Sequence, residues 1–273
     1  MGYIKEQIKK LIRDGIIPYS LKEVPFWLPM ADKKKIRTLK DKYKGKRCFI
    51  IGNGPSLNEI DLSLLKDEYT FGVNSIFLKT RKDGFKPTFY TVEDSHVMAD
   101  NLNDINNYDV EYRFFPTAYK KFIKNRENTY FFNMNIGFYW QLSSNYQKPR
   151  FSIDASDQIY CGQSVTMINL QLAYYLGFTE VYLIGMDFSY NIPDSAIVDG
   201  GTITSTEDDE NHFDGSYFGK GKKWHDPQLH NVLRNYKMCK FMYELDDRYI
   251  YNSTVGGNLE LFERKEFNSL FDK

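Results

Sequence analysis

The chain has 273 residues, with 36 Lys and Arg against 36 Asp and Glu, and 16% of its residues are aromatic. That length and apolar content fit one large α/β domain or two small ones around a substantial core, and exclude an intrinsically disordered chain. Cys48, Cys161 and Cys239 are scattered, which excludes a disulfide scaffold and any zinc-ligand spacing and suits a reducing cytoplasm.

Ile4, Ile8, Leu11 and Ile12 recur at helical spacing until Gly15, and residues 18–29 read as a linker. Between Met1 and Arg47, fourteen Lys and Arg face five Asp and Glu, which predicts a basic amphipathic arm over residues 1–43. Such an arm suits peripheral contact with an anionic membrane surface, or packing on its own domain or on a second subunit of a homo-oligomer. No apolar run is long enough to span a bilayer, and no nucleic-acid module follows the basic stretch, so nucleic acid is not an expected partner.

Strand and helix signals then alternate. Strands are predicted over 48–51, 70–73, 88–92, 112–115 and 130–132, with helices over 57–65, after Ser95 and after Pro116. Ser164 reads as the N-cap of an almost wholly apolar helix over 165–176, stopped by Gly177 and followed by a strand over 180–184. Residues 191–224 lose periodicity and read as an inserted, mobile lid loop. Asp226 before Pro227 has the form of a helix start, the helix running to about Leu245. This order predicts an α/β fold: a doubly wound, mainly parallel, Rossmann-like sheet over 44–264, with a tail over 265–273.

The polar residues fall at the strand ends. Gly52, Asn53, Gly54, Pro55 and Ser56 lie between a strand and a predicted helix, where backbone amides and a helix N-terminus favour an anion. They lack the third glycine of the dinucleotide fingerprint and the Gly-Lys-Ser/Thr of a P-loop. Asn74 ends the next strand and Glu93 and Asp94 the third. The amide suits a base or ribose and the carboxylates suit ribose hydroxyls or a metal, although Asn74 reads equally well as a strand-end turn residue. Asp187 and Tyr190 follow the strand over 180–184; Asp187 either lines the site or bonds loop amides. Of the four histidines, His212 in the lid suits proton transfer with a hydroxyl, with His225 as the competing candidate and His96 and His230 read as structural.

"GNGPSLNEID", Asn74, "GQSVTMINLQLAYYLGFTEVYLIGMDFSY" and the following Asn-His-Phe resemble the bacterial sialyltransferases of lipooligosaccharide. Over about residues 44–264 the chain also resembles the MptE-like proteins, named for a 6-hydroxymethylpterin diphosphokinase. Relatives with endings like "HFDGSYFGKGKKWHDP" and "YNSTVGGNLELF" look like surface-polysaccharide proteins. The first resemblance implies a cytoplasmic, metal-independent, inverting glycosyltransferase without a cofactor. It would use a nucleotide-activated, CMP-linked sugar donor and a glycan acceptor. Gly52 to Ser56, Asn74 and Ser164 would line the donor site, Tyr190 would hold the phosphate, and His212 would be the base. The arginine these enzymes carry before the central helix is replaced here by the region of Gln158, Ile159 and Tyr160, and their tyrosine is displaced by one residue to Tyr190. The second resemblance implies diphosphate transfer from ATP with magnesium held by Glu93, Asp94 or Asp187. A silent nucleotide-binding assembly protein is the third reading.

Overall fold

The structure, a computed structural model, describes residues 30–272. The helix expected around Ile4 to Ile12 and the linker after it lie outside the described residues. Eight parallel strands form the main sheet in the order β13-β12-β8-β1-β2-β3-β4-β5. In chain order, β1 is Arg47–Ile51, β2 Tyr69–Val73, β3 Phe89–Thr91, β4 Tyr112–Pro116 and β5 Thr129–Phe132. A two-stranded ribbon, β6 Met134–Asn135 with β7 Ile159–Tyr160, precedes β8 Glu180–Ile184. Three lid strands follow, β9 Ile197–Asp199, β10 Thr202–Thr204 and β11 Lys223–His225; β12 Tyr249–Asn252 and β13 Glu263–Arg264 then complete the main sheet.

The central strands are buried on both faces, which is why they are mainly apolar, with the buried Arg113 of β4 the charged exception among β2 to β5. Cys48 and Ile50 of β1 face one core together with Phe71, Phe89 and Phe114, while Phe49 and Ile51 face the other with Tyr90, Phe115 and Ile184. The first core is covered by α1 (Met30–Arg37), α5 (Val165–Leu176) and α6 (Leu229–Glu244). The second is covered by α2 (Phe77–Asp83), α3 (Ser95–Asp100) and α4 (Leu102–Asn107). Every residue of α5 is buried, as expected for a central helix, with Ser164 Oγ accepting from Thr166 N at 3.2 Å and Gly177 closing its end. The fold is therefore the doubly wound α/β type.

Residues 30–43 of the expected arm pack onto this domain. Ile36, Leu39 and Tyr43 are buried in the first core, Tyr43 stacking on Phe178 at 5.1 Å. Lys35 donates to the Thr129 carbonyl of β5, and Lys33 and Asp32 pair with Asp157 and Lys120. No helix among the described residues is long and apolar enough to cross a membrane.

Four local expectations need correction. The helix expected over 57–65 is two 3-10 segments, Pro55–Glu59 and Leu62–Leu65, because Ile60 between them is extended and the Asp61 side chain accepts from Ser63 N. After Pro116 there is one 3-10 turn, Thr117–Tyr119. Asp226 is not the helix cap: it accepts from Gln228 N, and α6 starts only after Gln228, whose φ is 40°. The loop expected over residues 191–224 contains the antiparallel sheet β11-β10-β9, anchored in the second core by Ile203, Phe213, Tyr217, Phe218 and Trp224. Strands of three residues are too short to imprint a period on the sequence.

Candidate active site at the strand ends

The chain runs outward from β1 to β5 and returns to pair β8 on the other side of β1. The β1–β8 gap is therefore the topological switch point, where an open α/β sheet holds ligands beyond its carboxyl ends. A cleft of about 710 Å³ opens there, bounded by the ends of β1, β2, β3 and β8, the start of α5, the β6–β7 side and the lid. Among the described residues lining it there is no Lys or Arg. Its charged or titratable lining includes Glu93, Asp94, Asp187, Asp226, His212 and His225.

Gly52, Asn53 and Gly54 line the cleft; Pro55 and Ser56 do not. The first turn is engaged with β8 more than it is open to an anion. The amides of Gly52 and Gly54 donate to the carbonyls of Ile184 and Gly185 at 2.8 and 3.0 Å. Asp187 Oδ1 accepts from Ser56 N at 3.1 Å and its Oδ2 from Ser56 Oγ at 2.8 Å. The glycines serve this close crossing: a Cβ on Gly54 would stand 1.8 Å from Asp187 Oδ2, and one on Gly52 2.3 Å from the Gly185 carbonyl. Asp187 thus bonds a loop, one of its two sequence readings. Only a 3-10 turn follows Gly54; the N-terminus of α5 lines the cleft through Ser164, Val165 and Thr166, as do the starts of α3 and α6 through Ser95 and Leu229. Ser164 Oγ also lies 3.3 Å from the Tyr236 hydroxyl.

Asn53 is 8% exposed and its orientation is fixed, because Nδ2 donates to the Val73 carbonyl at 3.1 Å and reaches the Tyr217 hydroxyl at 2.8 Å. Its Oδ1 and that of Asn74 are buried without a hydrogen-bond partner. Asn74 sits at φ 49°, and its neighbours around the cleft Gln163 and Phe188 also have positive φ, at 65° and 54°. Backbone held in this region is a strain that surrounding contacts must fix. Asp94 Oδ1 caps α3, accepting from His96 N and Val97 N at 2.7 and 3.0 Å. Burial, followed by the charge of Asp94, pushes the Glu93 carboxyl up to about 8.

In the lid, His212 Nδ1 lies 2.7 Å from Asp209 Oδ2, with the two side chains only 8% and 4% exposed. Its ring stacks on Tyr217 at 4.1 Å and 3°, and Tyr190 stands 5.9 Å away. Desolvation by the surrounding cleft walls, then the charge of Asp209, raises the Tyr190 phenol although the residue is 40% exposed, and it is a donor at neutral pH. His225, the competing candidate, is exposed, its ring 4.5 Å from that of His96 and tilted to it by 37°. His230 is exposed on α6. Asp209 and Tyr217 were not among the sequence candidates. The Asp-x-x-His spacing in "DDENHF" carried a signal for the first; Tyr217 had none, since its place depends on how the lid docks.

Among the described residues no three His, Cys, Asp or Glu side chains gather as a metal-ligating set. Magnesium carried on substrate phosphates needs only one or two protein carboxylates, and Glu93 with the uncapped oxygen of Asp94 fits that need.

These features define an open α/β protein whose ligand cleft lies at its switch point. The chain belongs to the MptE-like family: the family model described as 6-hydroxymethylpterin diphosphokinase MptE-like matches residues 28–193. No curated protein matches the chain. The matched span holds Gly52, Asn74, Glu93, Ser164, Asp187 and Tyr190, whereas Asp209, His212 and Tyr217 lie beyond it.

Proposed function

We propose that the protein is a metal-independent, inverting glycosyltransferase that uses a nucleotide-activated sugar, CMP-linked, in surface-glycan synthesis. The observation that carries this reading is the buried Asp209–His212 pair, whose imidazole belongs to the cleft lining. With Nδ1 held by Asp209, His212 offers Nε2 to an acceptor hydroxyl. The hydroxyl oxygen attacks the anomeric carbon, the bond from that carbon to the nucleotide phosphate breaks, and the hydroxyl proton passes to Nε2. Charge on the departing phosphate meets the α5 N-terminus, Ser164 Oγ and the protonated Tyr190 phenol. Neutral donors suffice for a single nucleotide phosphate. The protein acts in the cytoplasm, with the basic stretch before Arg47 at the inner membrane face as a peripheral contact.

A second reading, diphosphate transfer from ATP, is favoured by the family description and by the acid-lined cleft without Lys or Arg among its described lining. There magnesium between the phosphates and Glu93 or Asp94 would offset the charge. Binding of CMP, UDP, GDP and ATP, each with and without chelator, separates the readings. Chelator-insensitive CMP binding is expected. ATP binding that needs magnesium would replace the first reading by the second, and no nucleotide binding would leave an assembly role.

A further inference from the structure

The cleft has an outer arm that the transfer chemistry leaves unused. It runs between the loop after β6 and the chain that leads from β11 into α6, and Tyr139, Gln147, Gln163, Asp226 and Gln228 belong to its lining. Three of these, Gln147, Gln163 and Gln228, hold φ at 50°, 65° and 40°, in the left-handed region that glutamine rarely occupies. Strained backbone of this kind gathers at ligand clamps. Asp226 ties the arm together. Its carbonyl accepts from Gln163 Nε2 at 3.1 Å, its Oδ1 accepts from the Gln228 amide at 3.0 Å, and its own amide donates to the Gly201 carbonyl of the lid at 3.0 Å.

Each of these two side-chain amides is half used. Gln163 spends its nitrogen on Asp226, and Gln228 Oε1 accepts from Asn231 Nδ2 at 2.8 Å. Gln163 Oε1 and Gln228 Nε2, an acceptor and a donor anchored on one residue, have no hydrogen-bond partner among the described residues. A hydroxyl both donates and accepts and so suits this pair, whereas a phosphate oxygen meets only the donor and an ammonium only the acceptor. Tyr139 adds a platform. Its hydroxyl accepts from the Gln163 main-chain amide at 3.1 Å, which fixes the ring, and the residue is 40% exposed, so an apolar face is left for a ring-shaped ligand. Gln147 and His225, both exposed, stand at the open side of the arm, where a longer ligand can run out into solvent.

We propose that this arm is the acceptor subsite and takes one neutral sugar ring, its hydroxyls on the amides of Gln163 and Gln228 and its C–H face on Tyr139. The assignment deepens the glycosyl-transfer reading and rests on it for the role of the bound sugar as acceptor. The ribose of the nucleotide is the other source of the same hydroxyl chemistry. On this assignment the left-handed glutamines have a use: glycine would relax the backbone only by giving up the side chains that bind.

The test is saturation-transfer NMR with methyl β-galactoside, methyl β-glucoside and methyl β-N-acetylglucosaminide as probes, each with and without CMP. One or more of these glycosides is expected to bind without displacing CMP, the C–H protons of one ring face receiving the strongest transfer. The double variant Gln163→Gly with Gln228→Gly, in a backbone that glycine adopts freely, should keep the wild-type circular dichroism and weaken that glycoside by about tenfold or more, with CMP affinity within about twofold. Each single variant repeats the comparison in a less altered chain. Tyr139→Phe, which keeps the ring, should retain most of the glycoside affinity, and Tyr139→Ala should lose it. The subsite is overturned if none of the glycosides binds, if the glycine variants bind the glycoside as well as wild type, or if they lose CMP instead, which would give the arm to the ribose. Intact glycoside binding in a protein that binds no nucleotide or transfers nothing counts against the transferase reading and leaves the sugar site standing.

Discussion

Asp209 accepts the amides of Asn211 and Phe218 at 2.9 and 3.0 Å as well as contacting His212, so one buried carboxylate both shapes the lid turn and fixes the imidazole. Under the sugar-transfer reading, His212→Ala should leave CMP affinity nearly unchanged and reduce turnover by about 10²–10⁴-fold, the usual contribution of a positioned base. Asp209→Asn should give a similar loss while Nδ1–H NMR of His212 reports a changed tautomer; full turnover in either variant removes the pair from the mechanism. Glu93 gives a pH signature in stability. Its folded value near 8 stands above the ordinary 4.5, so the folded chain binds a proton the unfolded chain has released between those values. The resulting stabilisation is complete below about 4.5 and is lost as pH rises through about 8. Glu93→Gln should therefore lose less thermal stability than wild type between pH 6 and 8.5, by roughly a few degrees in Tm; parallel melting curves in pH would refute this.

At the scale of elements, the crossing of the β1 and β8 loops is the tightest part of the site. Gly54→Ala drives a methyl into Asp187, forcing it off Ser56. A loss of about 1–3 kcal/mol is expected from the orphaned partners, together with weaker nucleotide binding, measured by chemical denaturation and CMP titration. The lid is a separate matter. Phe213 is 4% exposed and bridges the lid to the β1 turn through its amide on the Asn53 carbonyl and its own carbonyl on Asn58 Nδ2. Removing its ring loosens that anchor without touching the sheet. In Phe213→Ala, hydrogen exchange over residues 195–224 should accelerate by tenfold or more while β1, β2 and β8 keep wild-type protection; uniform acceleration would show that the lid is inseparable from the core.

At the scale of the molecule, the sequence is most legible where burial is most complete. Residues 48–51 and 180–184 are apolar runs because both faces of β1 and β8 are covered, and Ser164 and Gly177 bracket α5 by local capping chemistry that needs no tertiary knowledge. The 3-10 segments after Gly54 were illegible, since the break at Ile60 depends on one extended residue between two apolar stretches. Lid strands and the Tyr119–Glu93 and Tyr139–Gln163 contacts join residues far apart in sequence, and no period records them. The strand-end polar residues could be placed along one edge from alternation alone. What their side chains do there could not, and Asp187 and Asp94 proved to be engaged by the backbone around them.

Asn53 carries the floor and the roof of the same chamber. Its carbonyl holds Phe213, its side-chain nitrogen holds the Tyr217 hydroxyl, and its side-chain oxygen is buried without a hydrogen-bond partner. For a guest that leaves by the lid side, release of these two bonds to Asn53 is part of the opening, so departure there proceeds at the pace of the lid. Chemically different guests should then share similar dwell times even where their equilibrium affinities diverge, and trimming the latch with Tyr217→Phe should quicken every exit alike, as stopped-flow displacement would show.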